Sequence, residues 1–123
     1  MPAVESLRGQ RIVADPVTLD AVATGLPAGA VFLRFAPDEA FLIGGGLTIP
    51  DPNAIVEDEV GFVALTVERE IIERHVEWAL PGPGQVGQGS IAGVPAKLAW
   101  LPDGRAWIVT YAAYAGELGD RLT

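Results

Sequence analysis

The feature that most constrains this chain is the order of elements that its second half predicts. Between residues 61 and 122, apolar residues change from a strand-like to a helix-like spacing and back, with one tight turn. The predicted order is strand, helix, strand, turn, strand, helix, which is typical of a split β-α-β unit with a closing helix. We therefore predict an α+β fold: a mainly antiparallel sheet of about five strands with two or three helices, ferredoxin-like over residues 61–122, plus an N-terminal hairpin.

A strong strand and an amphipathic helix begin this half. Phe62–Val67 is a near-continuous apolar run, which indicates a strand buried on both faces. From Val67 onward the apolar residues recur every four positions in two adjacent rows, which predicts a helix with Thr66 as its N-cap and Pro81 as its stop. The two rows are Val67, Ile71, His75, Ala79 and Ile72, Val76, Leu80. Arg69–Glu73 and Glu70–Arg74 are predicted to pair across one helical turn.

The remaining elements of this half are a loop, a hairpin and a short helix. Residues 81–89 are rich in Gly and Pro, which predicts a loop. Residues 90–100 are predicted as one strand, interrupted or bulged at Gly93 and Pro95. Asp103-Gly104 is a strong signal for a tight turn into the partner strand, residues 105–111. Residues 112–122 are predicted as a helix, weakened by two glycines.

The first half predicts a helix and a hairpin. Asp15 as N-cap, Pro16 at the first helical position and Gly25 at the end bound a short helix. The other segments are an irregular leader at 1–10, a short strand at 11–14, a hairpin of strands 30–36 and 40–44 joined by Pro37-Asp38-Glu39, and an acidic loop or edge strand at 54–59.

Composition narrows the classes of partner. The 123 residues fit a single domain, 1–123, with a net charge of −8 and only one lysine, Lys97. Such sparse positive charge argues against nucleic acid and against anionic membrane surfaces. No apolar run is long enough to span a membrane, and the first residues lack the apolar core of a signal peptide, so we expect a cytoplasmic protein. The abundance of Ala, Gly and Arg suggests a bacterial source.

Three motifs have a chemical interpretation and a structural alternative. Gly82–Gly87 matches the G-x-G-x-x-G nucleotide fingerprint, but it follows a predicted helix and precedes a strand, so a plain connection is favoured. His75, the single histidine, is either a core-edge residue or a catalytic base, with the first favoured. The acidic residues 57–59, with Asp51, are a solvated loop or a face for a basic partner in preference to a cation site. There is no cysteine. We predict no catalytic residue, no cofactor and no metal.

The aromatic residues are the best candidates for a functional surface. Trp100 and Trp107 flank the Asp-Gly turn and are expected to pair across the hairpin. Core packing is one interpretation of these rings. The other is a protein interface, because Trp and Tyr dominate binding hot spots. The candidate interface residues are Trp78, Trp100, Trp107, Tyr111 and Tyr114, with Trp78 the preferred anchor.

Three segments together resemble a known family. They are Phe62–Val67 followed by a helix, the run from Val86 to Trp100 that contains Ala-Gly-Val-Pro, and residues 105–118, which end in Tyr-Ala-Ala-Tyr-Ala-Gly-Glu-Leu. This half of the chain, with the Pro-Asp-Glu hairpin, resembles the gamma subunit of heterotetrameric sarcosine oxidase and the related folate-binding group of aminomethyltransferases (glycine-cleavage T-protein). The resemblance implies a small α+β module that packs on a larger flavoprotein, or a stand-alone relative. It assigns no catalytic or folate-binding residue.

Two functions remain open at this point. The first is a non-catalytic accessory or interaction subunit, which associates with a copy of itself, as a homodimer, or with a larger protein subunit. The second is a domain that binds a small ligand such as folate or another one-carbon carrier, with or without an enzymatic role. In that case we expect the loop at 84–89 and the Trp100/Trp107 pair to line the pocket.

Overall fold

A computed structural model of the protein describes residues 2–122 and divides the chain into two compact units. Unit 1 combines the first seven residues with the segment from Gly61 onward, and unit 2 is the intervening Arg8–Val60. Within the described residues there are three α-helices and two antiparallel sheets, one of five and one of four strands. This confirms the predicted α+β class with mainly antiparallel sheets. That the 123 residues behave as one domain stays a prediction.

The elements follow one another in a strand-rich order. They are β1 (Val4–Ser6), β2 (Gly9–Val13), α1 (Pro16–Thr24), β3 (Val31–Ala36), β4 (Glu39–Ile43), β5 (Ile55–Glu59), β6 (Phe62–Val67), α2 (Arg69–His75), β7 (Gly87–Ile91), β8 (Val94–Trp100), β9 (Ala106–Tyr111), a 3₁₀ turn (Ala112–Tyr114) and α3 (Ala115–Arg121). None of the helices in residues 2–122 has the length and apolar character needed to cross a membrane.

Unit 1 is built on the five-stranded sheet, in the order β1-β6-β9-β8-β7. Strand β9 lies between β6 and β8 and is antiparallel to both, so β6 and β8 run in the same direction. Helix α2 lies between these two strands in the chain. This arrangement is the split β-α-β unit that the sequence predicts, and α3 closes it.

The two faces of this sheet differ in what they carry. On the helix-bearing face, Leu65 and Val67 of β6 lie opposite Ile108 and Ala106 of β9. These residues share one core with members of α2 and α3, among them Ile72, Leu118 and Leu122. Because side chains alternate along a strand, the second face carries the intervening residues, which include Phe62, Ala64, Lys97, Val109 and Tyr111.

One predicted strand of unit 1 is in fact two. The sequence predicts one strand over residues 90–100, interrupted or bulged at Gly93 and Pro95, but the chain reverses at Ala92-Gly93 to pair β7 with β8. Both turn residues have positive φ, 49° for Ala92 and 83° for Gly93, which is the backbone of a two-residue hairpin turn. Strand β7 therefore begins at Gly87, inside the segment predicted as loop.

Helix α2 is shorter than the hydrophobic pattern predicts. It ends at His75 instead of Leu80, because Val76 has extended angles, φ −120° and ψ 123°. Beyond the helix the chain packs on the core of unit 1 through every second residue, namely Val76, Trp78 and Leu80. The N-cap prediction is also wrong: Thr66 belongs to β6, and the N-cap position is Glu68, which makes no side-chain capping bond.

Unit 2 contains the four-stranded sheet β3-β4-β2-β5 and helix α1. The predicted helix is confirmed with its bounds, and the Asp15 carboxylate accepts a hydrogen bond from the Val17 amide at 3.1 Å. The hairpin of β3 and β4 is confirmed, with a bulge between Arg34 and Ala36. The buried core residues of this unit that cluster together are Ile12, Ala14, Leu19, Ala40 and Leu42.

The predicted irregular leader is wrong. Residues 1–10 contain β1 and the first part of β2, apart from Met1, which lies outside the described residues. Strand β1 pairs with β6 through three residues whose side chains are all exposed, so no apolar alternation marks it in the sequence. The acidic segment at 54–59 is an edge strand, β5, which was one of the two predicted alternatives.

Candidate functional site

The five candidate aromatic residues all lie in unit 1, but the structure does not bring them to one place. Trp100 lies opposite Ala106, and Trp107 lies opposite Ala99. The two indoles are one residue out of register, so they extend from opposite faces of the sheet. The expected Trp100/Trp107 pair is therefore wrong, and the two rings cannot line one pocket together.

Trp78 packs inside unit 1, on strand β7. Its indole N–H donates a hydrogen bond to the Ser90 carbonyl at 2.9 Å. The ring lies over two glycines of that strand: a methyl group on Gly89 would come within 2.7 Å of the indole nitrogen, and one on Gly87 within 2.8 Å of the ring. In the sequence, the signal for this close approach is the pair of glycines, Gly87 and Gly89, on the same face of the strand. An interface role for Trp78 stays a prediction.

Trp100, the last residue of β8, lines a different cleft of unit 1. Its indole N–H donates to the Pro81 carbonyl at 2.7 Å, and the Arg69 guanidinium lies 4.5 Å from the ring centroid, in cation–π geometry. Arg69 also forms the predicted ion pair with Glu73, at 3.4 Å. Together with the Gly82–Gly84 backbone, Trp100 and Arg69 line a cleft of about 580 Å³.

The G-x-G-x-x-G segment forms one wall of this cleft, as a turn. The Gln85 amide donates to the Gly82 carbonyl at 3.1 Å, and Gly84 has a φ of 75°. Strand β7 follows at Gly87, so the segment does not open a helix. The segment is a connection into a strand, as the order of elements predicts, and it lacks the geometry that the dinucleotide fingerprint needs.

Tyr111 and Tyr114 are together in a cleft that is centred on the second face of the five-stranded sheet. Their exposed fractions are 52% and 39%. The Tyr111 ring stacks on Phe62, with centroids 4.8 Å apart, and the Lys97 ammonium lies 5.9 Å from the centroid of the Phe62 ring. Tyr111, Tyr114, Phe62 and Lys97 contribute to the lining of a cleft of about 420 Å³. We call it the Lys97 cleft. Neither it nor the lysine was among the sites that the sequence predicts.

His75 lies at the end of α2, beside a third cleft. Its carbonyl is 3.5 Å from the Ala92 amide, which donates to it, and Arg74, Glu77 and Trp78 also line the cleft of about 440 Å³. His75 is partly buried, in agreement with a core-edge position. The prediction that His75 lies midway along the apolar stripe of a helix is wrong, because the helix ends at this residue. The predicted Glu70–Arg74 ion pair is replaced by a bond from the Arg74 guanidinium to the Glu70 carbonyl, at 3.3 Å.

The acidic residues are arranged along a sheet edge. Glu57 lies opposite Arg11 in the pairing of β5 with β2, and Arg11 donates to the Glu39 carboxylate at 2.8 Å. Within residues 2–122 no group of three or more His, Asp or Glu side chains is placed to hold a metal ion. Three successive acidic residues on an edge strand also oppose pairing with another sheet.

Asp103 is a titratable group that its surroundings perturb. The Arg105 backbone amide donates to Asp103 Oδ1 at 3.0 Å, and the Arg105 guanidinium donates to Oδ2 at 2.8 Å. These two bonds favour the charged carboxylate, the backbone bond first, and hold the pKa of Asp103 below its usual value of 3.8. The group sits in the turn before β9, away from the Lys97 cleft lining, and it stabilises the turn.

Comparison with known proteins gives a structural relative. No family model and no curated protein matches this sequence. Among solved structures, the chain is similar to a chain of the heterotetrameric sarcosine oxidase from Corynebacterium sp. U-96, determined in complex with pyrrole 2-carboxylate. The match has a TM-score of 0.73 and 14% sequence identity, and it covers 98% of this chain and 80% of that chain. The resemblance to heterotetrameric sarcosine oxidase is confirmed at the level of the fold.

Proposed function

We propose that this protein is an accessory subunit of a sarcosine-oxidase-like complex, in which it packs on a larger flavin-dependent subunit. One observation carries the proposal: nearly the whole chain, both units included, follows the fold of one chain of a heterotetrameric enzyme. The matched chain is not much longer than this one, because the alignment covers most of both. A likeness of this extent is expected of a subunit that occupies an equivalent place in an assembly. In this role the protein supplies contacts and the partner supplies the chemistry.

The surface chemistry of unit 1 supports a docking role. Tyr111 and Tyr114 are both substantially exposed and line the same cleft. Tyrosine is enriched at the centre of protein interfaces, where its ring is buried against a partner and its hydroxyl forms a hydrogen bond. We therefore place the docking surface around these two residues. Trp78 and Trp100, which donate hydrogen bonds within unit 1, are the less favoured anchors.

The test is purification of the tagged protein from its native host at endogenous level, with the absorbance spectrum and protein bands of the eluate recorded. We expect a larger yellow flavoprotein to co-purify. The double variant Tyr111→Ala/Tyr114→Ala should lose that band, whereas Val17→Ala, at an exposed apolar residue of α1, should retain it. Recovery of the small chain alone, colourless and at the mass of a dimer, would contradict the proposal and favour a self-associating protein.

A further inference from the structure

Strand β5 is an open edge of the sheet in unit 2. It is the last strand in the order β3-β4-β2-β5 and pairs with β2 alone, from Ile55 opposite Val13 to Glu59 opposite Gly9. Within residues 2–122 no strand pairs with its other side. The first four of its five side chains are exposed, so no other part of the described chain covers them. An edge strand directs alternate backbone N–H and C=O groups outward, where they can bond to a further strand.

Exposed apolar side chains are concentrated on and beside this strand. The exposed fractions are 52% for Ile55, 41% for Val56 and 68% for Val60, which follows the strand directly. Each of the other edge strands, β1, β3 and β7, carries one large exposed apolar residue or none among the described residues. Exposed apolar residues that occur singly are ordinary, whereas a contiguous group marks an interaction surface. The edge of β5 therefore has both the backbone groups and the apolar area that a docked strand needs.

The charges in the middle of the strand determine which kind of strand fits. Glu57 and Asp58 are both exposed, and within the described residues neither side chain forms an ion pair. A second copy of β5 paired with the first would bring acids opposite acids, which is destabilising, and the net charge of −8 adds to the repulsion. A strand with cations at these positions would instead form cross-strand pairs of opposite charge.

We propose that the outer edge of β5 binds an extended segment of another protein as an added strand, with two consecutive cationic residues between apolar ones. The segment forms backbone hydrogen bonds with β5, which is a recurring mode of peptide recognition. Its cations lie opposite Glu57 and Asp58, and its apolar residues contact Ile55, Val56 and Val60. This surface belongs to unit 2 and does not depend on the docking proposed above for Tyr111 and Tyr114 of unit 1.

The test is an NMR titration of the ¹⁵N-labelled chain with a synthetic peptide, acetyl-Thr-Val-Thr-Lys-Arg-Val-Ile-Thr-amide. Its Lys-Arg pair lies opposite Asp58 and Glu57 when the peptide runs antiparallel to β5, as the paired strands of this protein do. A control peptide has Glu-Glu in place of Lys-Arg. We expect shifts at the backbone amides of residues 55–60, and an affinity for the cationic peptide about tenfold higher than for the acidic one, because two cross-strand charge pairs change sign.

Two double variants with the same change in net charge separate a local effect from a general one. Glu57→Gln/Asp58→Asn should remove most of the preference for the cationic peptide. Glu70→Gln/Glu77→Gln, at exposed acids of unit 1, should retain it. If the first variant fails to fold, as judged by its amide spectrum, the single variant Asp58→Asn serves in its place.

A third variant tests the apolar contacts. Ile55→Thr/Val56→Thr keeps the charges and the β-branched shape, and it should weaken the binding of both peptides. Absence of shifts at residues 55–60 at millimolar peptide, equal affinities for the two peptides, or equal effects of the two charge variants would overturn the proposal. So would a dimer of the free chain, detected by sedimentation, whose formation shifts these same amides, because a second copy would then be the occupant.

Discussion

A single residue fixes the turn that follows β8, and one backbone angle decides its conformation. Gly104 has a φ of 88°, its amide donates to the Leu101 carbonyl at 2.9 Å, and nothing lies within 4 Å of the position where a β-carbon would be. The requirement at this site is therefore conformational, because a side chain would have space but would strain the backbone.

We expect Gly104→Ala to lower the free energy of unfolding by about 1 kcal/mol, because a β-carbon in the left-handed region comes too close to the backbone. Gly25→Ala is the matched control. Gly25 also has open space around it, but its φ is −116°, so alanine should be neutral or slightly stabilising. Chemical denaturation of both variants, followed by circular dichroism, measures the difference. Equal stability of the two would refute the turn assignment.

Asp103 makes the same turn sensitive to acid. Its pKa is lowered in the folded protein, so its contribution to stability is present above the ordinary pKa of 3.8 and is lost as the pH falls through the folded value. An NMR titration of its carboxyl carbon should give a midpoint below 3.8. In Arg105→Ala the midpoint should move up toward that value, because the guanidinium bond is lost. An unchanged midpoint in the variant would show that the side-chain bond plays no part.

Whole elements were predictable where their signals are local. The bounds of α1 follow from Asp15, Pro16 and Gly25, all of which act on their own backbone neighbours. The end of α2 was not predictable, because Val76 and Leu80 fit the four-residue spacing of a helix and the two-residue spacing of an extended chain equally well. The packing of Trp78 on β7, which is a tertiary contact, favours the extended chain. The Ala92-Gly93 turn was missed because Ala rarely has positive φ, and β1 because only its pairing with β6 defines it.

The contact between Trp78 and β7 gives a prediction at the scale of elements. Gly89→Ala would place a methyl group 2.7 Å from the indole nitrogen, so the segment after α2 must move away from the strand. We expect a loss of about 1–3 kcal/mol, as for other overpacked sites, and a red shift of tryptophan emission. Ser90→Ala, next in the strand, keeps the carbonyl that Trp78 contacts and should behave as the wild type. Unaltered stability of Gly89→Ala would argue against this packing.

At the scale of the molecule, the distribution of aromatic residues separates the two units spectroscopically. All three tryptophans lie in unit 1 and none in unit 2, so their fluorescence follows unit 1, while far-ultraviolet circular dichroism follows both units. If the chain is one domain, as its length predicts, the two signals should change together during denaturation with a single midpoint. Two separate transitions would show that unit 2 unfolds on its own.

The position of β1 has a consequence for the order of folding. The chain leaves unit 1 after three residues of strand and returns to it at β6, where the Leu7 amide donates to the Phe62 carbonyl at 3.0 Å. That pairing closes a loop of roughly 50 residues. Closing the loop lowers the conformational entropy of the chain, and only the few hydrogen bonds of β1 offset this loss. Folding of unit 2 shortens the disordered part of this loop. We therefore expect β1 to join its sheet last, and its amides to exchange with solvent fastest among the paired strands of unit 1.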